Sequence, residues 1–223
     1  MQPPYNRTPT TYYKPKSGVG RIITQKHETL PTGMHVGVIG LGAGTIAGYS
    51  NAGDTYRFYD INPMVIDIAR LKFSYLSDSP AGIKTVLGDA RLNLEREPAQ
   101  AFDVLAIDAF SGDSIPVHLI TFEALGVYLR HMKADGVIAF HVSNRFLDLK
   151  PVVQKIAAAH GLKSTWVRDT YEDGATSSDW LLLSRDVTQF EVPALKAAAQ
   201  PLPEQPTWRM WTDDFNNVLQ VLK

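Results

Sequence analysis

The sequence contains no cysteine, which excludes disulfide bonds and thiolate metal sites. No apolar run approaches the roughly 18–20 residues that a transmembrane helix needs. The opening segment, MQPPYNRTPTTYYKPKSG, lacks the apolar core of a signal peptide. The formal net charge of −1 provides no bulk attraction for nucleic acid or for an anionic membrane. We therefore expect a soluble, cytoplasmic protein that binds neither a nucleic acid nor a membrane.

The residues that are present are typical of a globular protein. The chain has 223 residues, of which 44% are hydrophobic and 20% are charged, enough for one domain with a sizeable core. Residues 1–30 are rich in Pro, Thr and Tyr, and we interpret them as an N-terminal arm. A strand at Val19–Thr24 is expected to lead this arm into a partial β-hairpin. Residues 31–223 are expected to form the main domain.

Strand-like and helix-like segments alternate through the main domain. Segments such as AGTIAGYSNAG and PMVIDIARLKFSYL predict helices between strands. Seven strands are predicted, at MHVGVIG, TYRFYDI, IKTVLGDA, FDVLAIDAF, GVIAFHVS, KSTWVRDTY and DWLLLSRD. The last two have no helix between them, which favours an antiparallel pair. This alternation predicts an α/β fold, with a Rossmann-like, mostly parallel seven-stranded sheet, an antiparallel last strand and helices on both faces.

A glycine-rich turn follows the first strand. The segment VIGLGAGT places glycines at Gly40, Gly42 and Gly44. Glycine allows the backbone to turn tightly and to approach a ligand closely. A dinucleotide fingerprint would need glycine at position 45, which is Thr45. The turn predicts a nucleoside site, and a tight turn without a ligand is the alternative.

Acidic residues stand at the ends of the next two strands. Asp60 ends the second strand, where a carboxylate can accept hydrogen bonds from both hydroxyls of a ribose. Asp89 ends the third strand and can accept the exocyclic amine of adenine, while the Ala90 N–H donates to a ring nitrogen. Ile61 is grouped with these cofactor-binding residues. A helix N-cap is the alternative for each acid alone, but together with the glycine turn they indicate an adenosine site.

The fourth strand delivers a further acid to its carboxyl end. In FDVLAIDAFSGDSIP, the apolar run ends at Asp108, and Asp113 follows in a flexible segment. His141 or Ser143 stands at the end of the fifth strand. Ligands of open α/β sheets bind outside the carboxyl ends of the strands, near the point where the strand order reverses. We therefore expect these strand ends to face one crevice.

These segments resemble the class I S-adenosylmethionine-dependent transferases. In particular, VGVIGLGAGTIAGY, YDINPMVIDIA, LGDARLNLE and FDVLAIDAFSGDSIPVHL are similar to the polyamine aminopropyltransferases, or spermidine synthases. The resemblance extends from about Thr10 to the last residue and is strongest toward spermidine-synthase-like domains fused to membrane transporter-like segments in bacteria. It implies that residues 31–223 form a catalytic domain. The chain is then expected to be either a short family member or an excised domain.

The resemblance also implies roles for individual residues. Asp108 would orient and help to deprotonate an attacking amine, which is useful because an alkyl ammonium has a pKa near 10. Tyr13 of the arm would contact the same amine. Further substrate contacts are implied for Tyr12 (the alternative to Tyr13), Asp113, His141 and Tyr171. The structural alternatives are a loop cap for the acids, surface packing for the arm tyrosines and a core residue for His141.

One departure from the family concerns the donor. Spermidine synthases usually have Gly-Gly-Gly-Asp-Gly-Gly at the first turn, where the Asp binds the ammonium of decarboxylated S-adenosylmethionine. Ala43 stands at that position, so a charge-assisted contact of about 1.5–3 kcal/mol is missing. The expected co-substrate is therefore decarboxylated S-adenosylmethionine or intact S-adenosylmethionine. No metal is expected to be needed.

The leading hypothesis is aminopropyl transfer to an amine such as putrescine, with release of 5′-methylthioadenosine. A methyltransferase that uses the same pocket is the first alternative, and a non-catalytic nucleoside- or polyamine-binding module is the second. An NAD-dependent enzyme is disfavoured by Thr45. The expected partner is a small polyamine substrate. Because related enzymes commonly dimerise, homodimer formation is an expectation that depends on the resemblance alone.

Overall fold

One mixed sheet organises the chain. In the computed structural model, which describes residues 7–109, 116–170, 176–204 and 206–223, eight strands pair side by side. They are β1 (His35–Ile39), β2 (Thr55–Asp60), β3 (Gly82–Leu87), β4 (Phe102–Ile107), β5 (Met132–His141), β6 (Lys163–Asp169), β7 (Ser178–Ser184) and β8 (Ala199–Gln200). Their order across the sheet is β3-β2-β1-β4-β5-β7-β6-β8.

The strand directions confirm the predicted fold class. Strands β1 to β5 pair in parallel, and β7 is antiparallel to both of its neighbours, β5 and β6. The seven predicted strands are all present, and the two-residue β8 adds an eighth beside β6. The strand order reverses at β1, which lies between β2 and β4. A crevice is expected at the carboxyl ends of the strands at such a reversal.

Helices cover both faces of the sheet. The α-helices are α1 (Gly18–Thr29), α2 (Pro63–Lys72), α3 (Ala90–Arg96), α4 (Phe122–Arg130), α5 (Lys150–Ala159) and α6 (Pro193–Lys196). Apolar residues of α3, α4 and α5 form one core layer, and those of α1, α2 and α6 form the other. Strand β4 is buried throughout because Leu105 and Ile107 face the first layer, whereas Val104 and Ala106 face the second. Within the described residues, no helix combines the length and the apolar character needed to cross a bilayer.

The predicted strand at Val19–Thr24, with its partial hairpin, is wrong. These residues lie in α1, whose N-cap Ser17 accepts a hydrogen bond from the Gly20 N–H at 3.1 Å. Val19, Ile22 and Ile23 follow a helical spacing and pack in the second core layer. A short β-branched run is compatible with the period of a strand and with that of a helix. The burial of this apolar face against the core selects the helix.

The helix predicted at AGTIAGYSNAG is reduced to a 3-10 helix at Thr45–Tyr49. Gly44 at its N-cap has a positive φ of 81°, and further glycines follow at positions 48 and 53. Glycine and β-branched residues both disfavour a continued α-helix. The short helix leaves the turn after β1 open toward the carboxyl ends of the strands.

The ends of β1 and β4 approach each other so closely that Gly40 is required between them. The Asp108 N–H donates to the Ile39 carbonyl oxygen at 2.8 Å, and Gly40 has a φ of +94°. A Cβ on Gly40 would lie 2.3 Å from the Asp108 carbonyl oxygen. This glycine therefore sets the backbone position from which the Asp108 side chain projects.

We predict that Gly40→Ala lowers the free energy of unfolding by about 2–5 kcal/mol, because a left-handed backbone costs roughly 1–2 kcal/mol and the steric clash adds roughly 1–3 kcal/mol. Gly33→Ala is the matched control: its φ is +80°, and no atom lies within 4 Å of the added Cβ. Denaturant unfolding measures both variants. Equal losses for the two variants would contradict the proposed clash.

The C-terminal segment is held against α3 and α4 by a polar cluster. Arg91 donates to both oxygens of Asp213, at 2.6 and 2.5 Å, and the Thr121 hydroxyl donates to the same carboxylate at 2.8 Å. Nearby, Trp211 is 1% exposed in the first core layer. The Arg91 hydrogen bonds hold the pKa of the Asp213 carboxyl below its usual value.

We predict that Asp213→Asn lowers the free energy of unfolding by about 1 kcal/mol at neutral pH, since the pair is partly solvent-screened. Asp214→Asn, which makes the same charge change on an exposed neighbour, is the control. The folded-state pKa of Asp213 is depressed, so its contribution is present above the unfolded pKa of about 3.9 and is lost as the pH falls through the folded value. A loss in Asp213→Asn that persists unchanged at pH 2 would contradict this account.

Candidate active site

A cavity of about 840 Å³ lies at the carboxyl ends of the parallel strands. The turn after β1, the ends of β2 and β4, the start of α3 and the segment after β5 all contribute to its walls. The lining includes these predicted site residues: Tyr12, Tyr13, Gly40, Gly42, Asp60, Ile61, Asp89, Ala90, Asp108 and His141. The structure therefore brings together the residues that the strand ends were expected to supply.

Three predicted site residues are not placed at the cavity. Gly44 does not line it: a Cβ there would lie 2.7 Å from Leu76, so this glycine serves the turn rather than the cavity. The predicted role of Gly44 in cofactor binding stays a prediction. Asp113 and Tyr171 lie outside the described residues.

Asp60 fixes the rim of the cavity at the end of β2. Its Oδ2 accepts a hydrogen bond from the Leu41 N–H at 3.0 Å, and its Oδ1 accepts one from the Asn62 N–H at 2.9 Å. A carboxylate oxygen has two lone pairs, so Asp60 keeps acceptor capacity toward the cavity. The neighbouring Ile61 is 70% exposed and offers an apolar surface at the same rim.

Asp89 has the N-cap role weighed for it, and its adenine-binding role stays a prediction. Its Oδ1 caps α3 by accepting from the Leu92 N–H at 2.9 Å, and it also lines the cavity. His118 Nε2 lies 2.7 Å from its Oδ2. Burial tends to raise the pKa of the Asp89 carboxyl, but the hydrogen bonds from Leu92 and His118 outweigh burial and lower that pKa. Asp89 is therefore an ionised acceptor at neutral pH.

Asp108 is buried where the cavity reaches the end of β4. Its side chain is 8% exposed, with His141 Nδ1 2.6 Å from Oδ1 and the Tyr13 hydroxyl donating to Oδ2. Burial, followed by the charge of Asp108, raises the pKa of Tyr13 well above its usual value. Tyr13 therefore remains a neutral hydrogen-bond donor to this carboxylate.

The arm that carries Tyr13 is fastened to the domain. The Tyr49 hydroxyl donates to the Tyr13 carbonyl oxygen, and the Trp180 indole N–H donates to the Tyr12 carbonyl oxygen at 3.1 Å. Further along the arm, the Tyr75 hydroxyl donates to the Thr8 carbonyl oxygen at 3.0 Å. These bonds hold the arm tyrosines over the end of β4.

His141 is held between aromatic rings. Its imidazole stacks on Trp180 at a centroid distance of 4.7 Å and lies 5.2 Å from the ring of Tyr12. Its Nε2 is 2.9 Å from the Ser143 hydroxyl oxygen. His141 is thus an ordered partner of Asp108, in addition to lining the cavity.

Sequence reasoning missed two residues of this site. Ser143 was expected at a strand end, but its hydrogen bond to His141 was not predicted. An extended backbone places residues two apart on the same side, which brings these two side chains together. His118, beside Asp89, lies in a short 3-10 helix at Val117–Leu119 and carries no sequence pattern. Only the tertiary structure identifies its partner, which is 29 residues away.

The described lining fits a nucleoside. Asp60 and Asp89 are oriented acceptors for hydroxyl and amine donors, and Ile61 supplies an apolar surface. Gly42 lines the same wall with a φ of +53°, and no atom lies within 4 Å of the position that a Cβ would take. This leaves the backbone open to a ligand. Asp108 lines the same cavity at the end of β4.

Comparisons with known proteins agree with this arrangement. No family model matches the chain. The polyamine aminopropyltransferase of Vibrio vulnificus is 32% identical over 120 residues, which cover 51% of this chain and 38% of that protein. The N-terminal histidine N-methyltransferase of Emericella nidulans is 34% identical over 116 residues, or 49% of this chain and 20% of that protein. The chain therefore matches well under half the length of either curated relative.

Solved structures share the whole architecture at low identity. A probable spermidine synthase from Corynebacterium glutamicum has a TM-score of 0.67 and 15% identity, covering 87% of this chain and 72% of that one. Human methyltransferase-like protein 13, solved with SAH, has a TM-score of 0.61 and 17% identity, covering 88% and 93%. These relatives give no support to the narrower likeness to transporter-fused domains. The chain has the spermidine-synthase-like, class I S-adenosylmethionine-dependent transferase fold.

Proposed function

We propose that this chain transfers an aminopropyl group from decarboxylated S-adenosylmethionine to an amine such as putrescine, releasing 5′-methylthioadenosine. The observation that carries the proposal is the buried Asp108 carboxylate, held by Tyr13 and His141 on the same cavity as Asp60 and Asp89. The similarity to the Vibrio vulnificus polyamine aminopropyltransferase supports this choice of reaction.

The donor side of the cavity would hold the nucleoside. Asp60 would accept from the ribose hydroxyls, since its carboxylate is already oriented by the Leu41 and Asn62 N–H groups. Asp89 would accept from the adenine amine, and the Ala90 N–H would donate to a ring nitrogen. Ile61 would cover one face of the base. These roles use groups that the fold holds in place before the ligand binds.

The acceptor side would manage the amine. A bound sulfonium donor supplies a carbon attached to a good leaving group, so the protein's contribution is positioning and the handling of one proton. Asp108 would attract the cationic amine and orient its neutral form. Tyr13, fixed by its hydrogen bond to Asp108, would close the site from the side of the arm.

Methyl transfer is the second candidate function. It is favoured by Ala43, which leaves the first turn without an acidic partner for the donor's ammonium group. Intact S-adenosylmethionine also carries a carboxylate. The uncharged Ala43 would not repel this group, whereas an aspartate at the same position would. The likeness in fold to human methyltransferase-like protein 13 is compatible with this alternative.

Three further expectations remain proposals. We keep the proposed division into an arm at residues 1–30 and a catalytic domain at residues 31–223. The helix α1 (Gly18–Thr29) forms the last part of this arm. A small polyamine is the proposed partner. A cytoplasmic homodimer is the proposed state.

The donor specificity is tested by incubating the protein with an amine and each donor in turn, and identifying the nucleoside that is released. We expect 5′-methylthioadenosine from decarboxylated S-adenosylmethionine. Release of S-adenosylhomocysteine alone would favour methyl transfer. No product from either donor, across a panel of diamines, would contradict the proposed transferase.

We predict that Asp108→Asn lowers kcat/KM by roughly 10²-fold or more, because the amide lacks the negative charge that attracts the amine and supports proton transfer at the site. Binding of 5′-methylthioadenosine, measured by calorimetry, should be retained. Asp67→Asn removes the same charge from an exposed position on α2 and serves as the control. A full rate in Asp108→Asn would exclude this carboxylate from the reaction.

A further inference from the structure

Asp108, His141 and Ser143 form a continuous hydrogen-bonded chain that ends in the cavity. His141 Nδ1 is 2.6 Å from Asp108 Oδ1, and His141 Nε2 is 2.9 Å from Ser143 Oγ. Asp108, His141 and Ser143 all line the cavity. The side chain of His141 is only 6% exposed. A titratable side chain is therefore built into the site between a carboxylate and a hydroxyl group.

The partners of this chain decide where its hydrogens lie. An ionised carboxylate only accepts, so Nδ1 of His141 carries the hydrogen that is shared with Asp108. Ser143 Oγ accepts from the Asp179 N–H at 2.7 Å. The Ser143 hydroxyl hydrogen can then point to Nε2, which is the remaining basic nitrogen. One lone pair of Ser143 Oγ is left for a donor in the cavity.

We infer that His141, rather than Asp108, takes up the proton released by the nucleophile, through the hydroxyl group of Ser143. The inference rests on the proposed function, because it concerns the proton in that reaction. Asp108 then acts as a positioning residue: it holds the imidazole with Nε2 directed at Ser143 and offsets the charge of the imidazolium. Ser143 is the member of the chain that contacts the nucleophile.

The proposed step balances without a further reactant. The nucleophile's nitrogen forms a bond to the donor carbon as the carbon–sulfur bond breaks, and the sulfur keeps the electron pair. The N–H proton passes to Ser143 Oγ, and the Ser143 hydroxyl proton passes to His141 Nε2. The product is a neutral amine beside an imidazolium–carboxylate pair. This pair loses its extra proton to water before the next turnover.

The charged and titratable groups around His141 are compatible with this role. Asp108 faces it from the end of β4, and Tyr12 and Tyr13 face it from the arm. From β7, the backbone N–H of Asp179 donates to Ser143 Oγ, whereas the Asp179 carboxylate accepts from the Trp166 indole N–H at 2.8 Å and lies 3.9 Å from the Arg168 guanidinium. Tyr13 remains a neutral phenol because burial and Asp108 raise its pKa.

The kinetic test uses His141→Gln, because a glutamine amide can still donate to Asp108 but cannot take up a proton. We expect kcat to fall by roughly 10²-fold and the acidic limb of the pH profile to disappear. Ser143→Ala should lower kcat and remove the same limb. His35→Gln, at the opposite end of β1, is the histidine control. A wild-type rate and an unchanged acidic limb in His141→Gln would overturn the inference.

A second measurement needs no turnover. In the ligand-free protein labelled with ¹⁵N at histidine, we expect a strongly downfield proton on Nδ1 of His141 that is lost in Asp108→Asn. A protein that shows this signal but makes no nucleoside product with any donor would refute the proposed function while leaving the proton chain intact. The absence of the downfield proton, or its persistence in Asp108→Asn, would refute the chain itself.

Discussion

The architecture of the site depends on one carboxylate, that of Asp108. Its backbone is placed by the close passage of β1 and β4, which only Gly40 permits, and its two oxygens are engaged from opposite directions by His141 and Tyr13. The arm is therefore tied to the sheet at the point where the nucleophile is expected to bind. Removing this carboxylate would take a hydrogen bond from Tyr13 and from His141 at once, so its effects on binding and on rate must be separated by measurement.

Much of the fold could be predicted because buried parallel strands are apolar on both sides. Val104–Ile107 is a continuous apolar run for that reason, and the acids that end such runs converge at one edge of the sheet. Segment Val19–Thr24 could not be assigned in this way, since a short β-branched run fits either a strand or a helix. Its packing in the second core layer selects the helix. The start of this helix lies so close to β7 that a Cβ on Gly18 would be 2.4 Å from the Cβ of Trp180.

The candidate site was predictable to the extent that it consists of strand ends. Asp60, Asp89 and Asp108 line one cavity because parallel strands finish together. Their partners were harder to find: Tyr13 lies 95 residues from Asp108, and its role came from the resemblance to spermidine synthases. His118 meets Asp89 through tertiary packing, whereas the contact between Ser143 and His141 joins residues only two apart in the sequence. Gly44, in the same glycine-rich turn, packs close to Leu76 and does not line the cavity.

The central claim is that four strand ends share one nucleoside cavity with the Asp108 carboxylate at its acceptor end. A crystal structure of the protein with 5′-methylthioadenosine tests this most directly. We expect the ribose hydroxyls on the Asp60 carboxylate, the adenine amine near Asp89 and the sulfur directed toward Asp108. A nucleoside bound elsewhere, or bound with its sulfur directed away from Asp108, would contradict the claim.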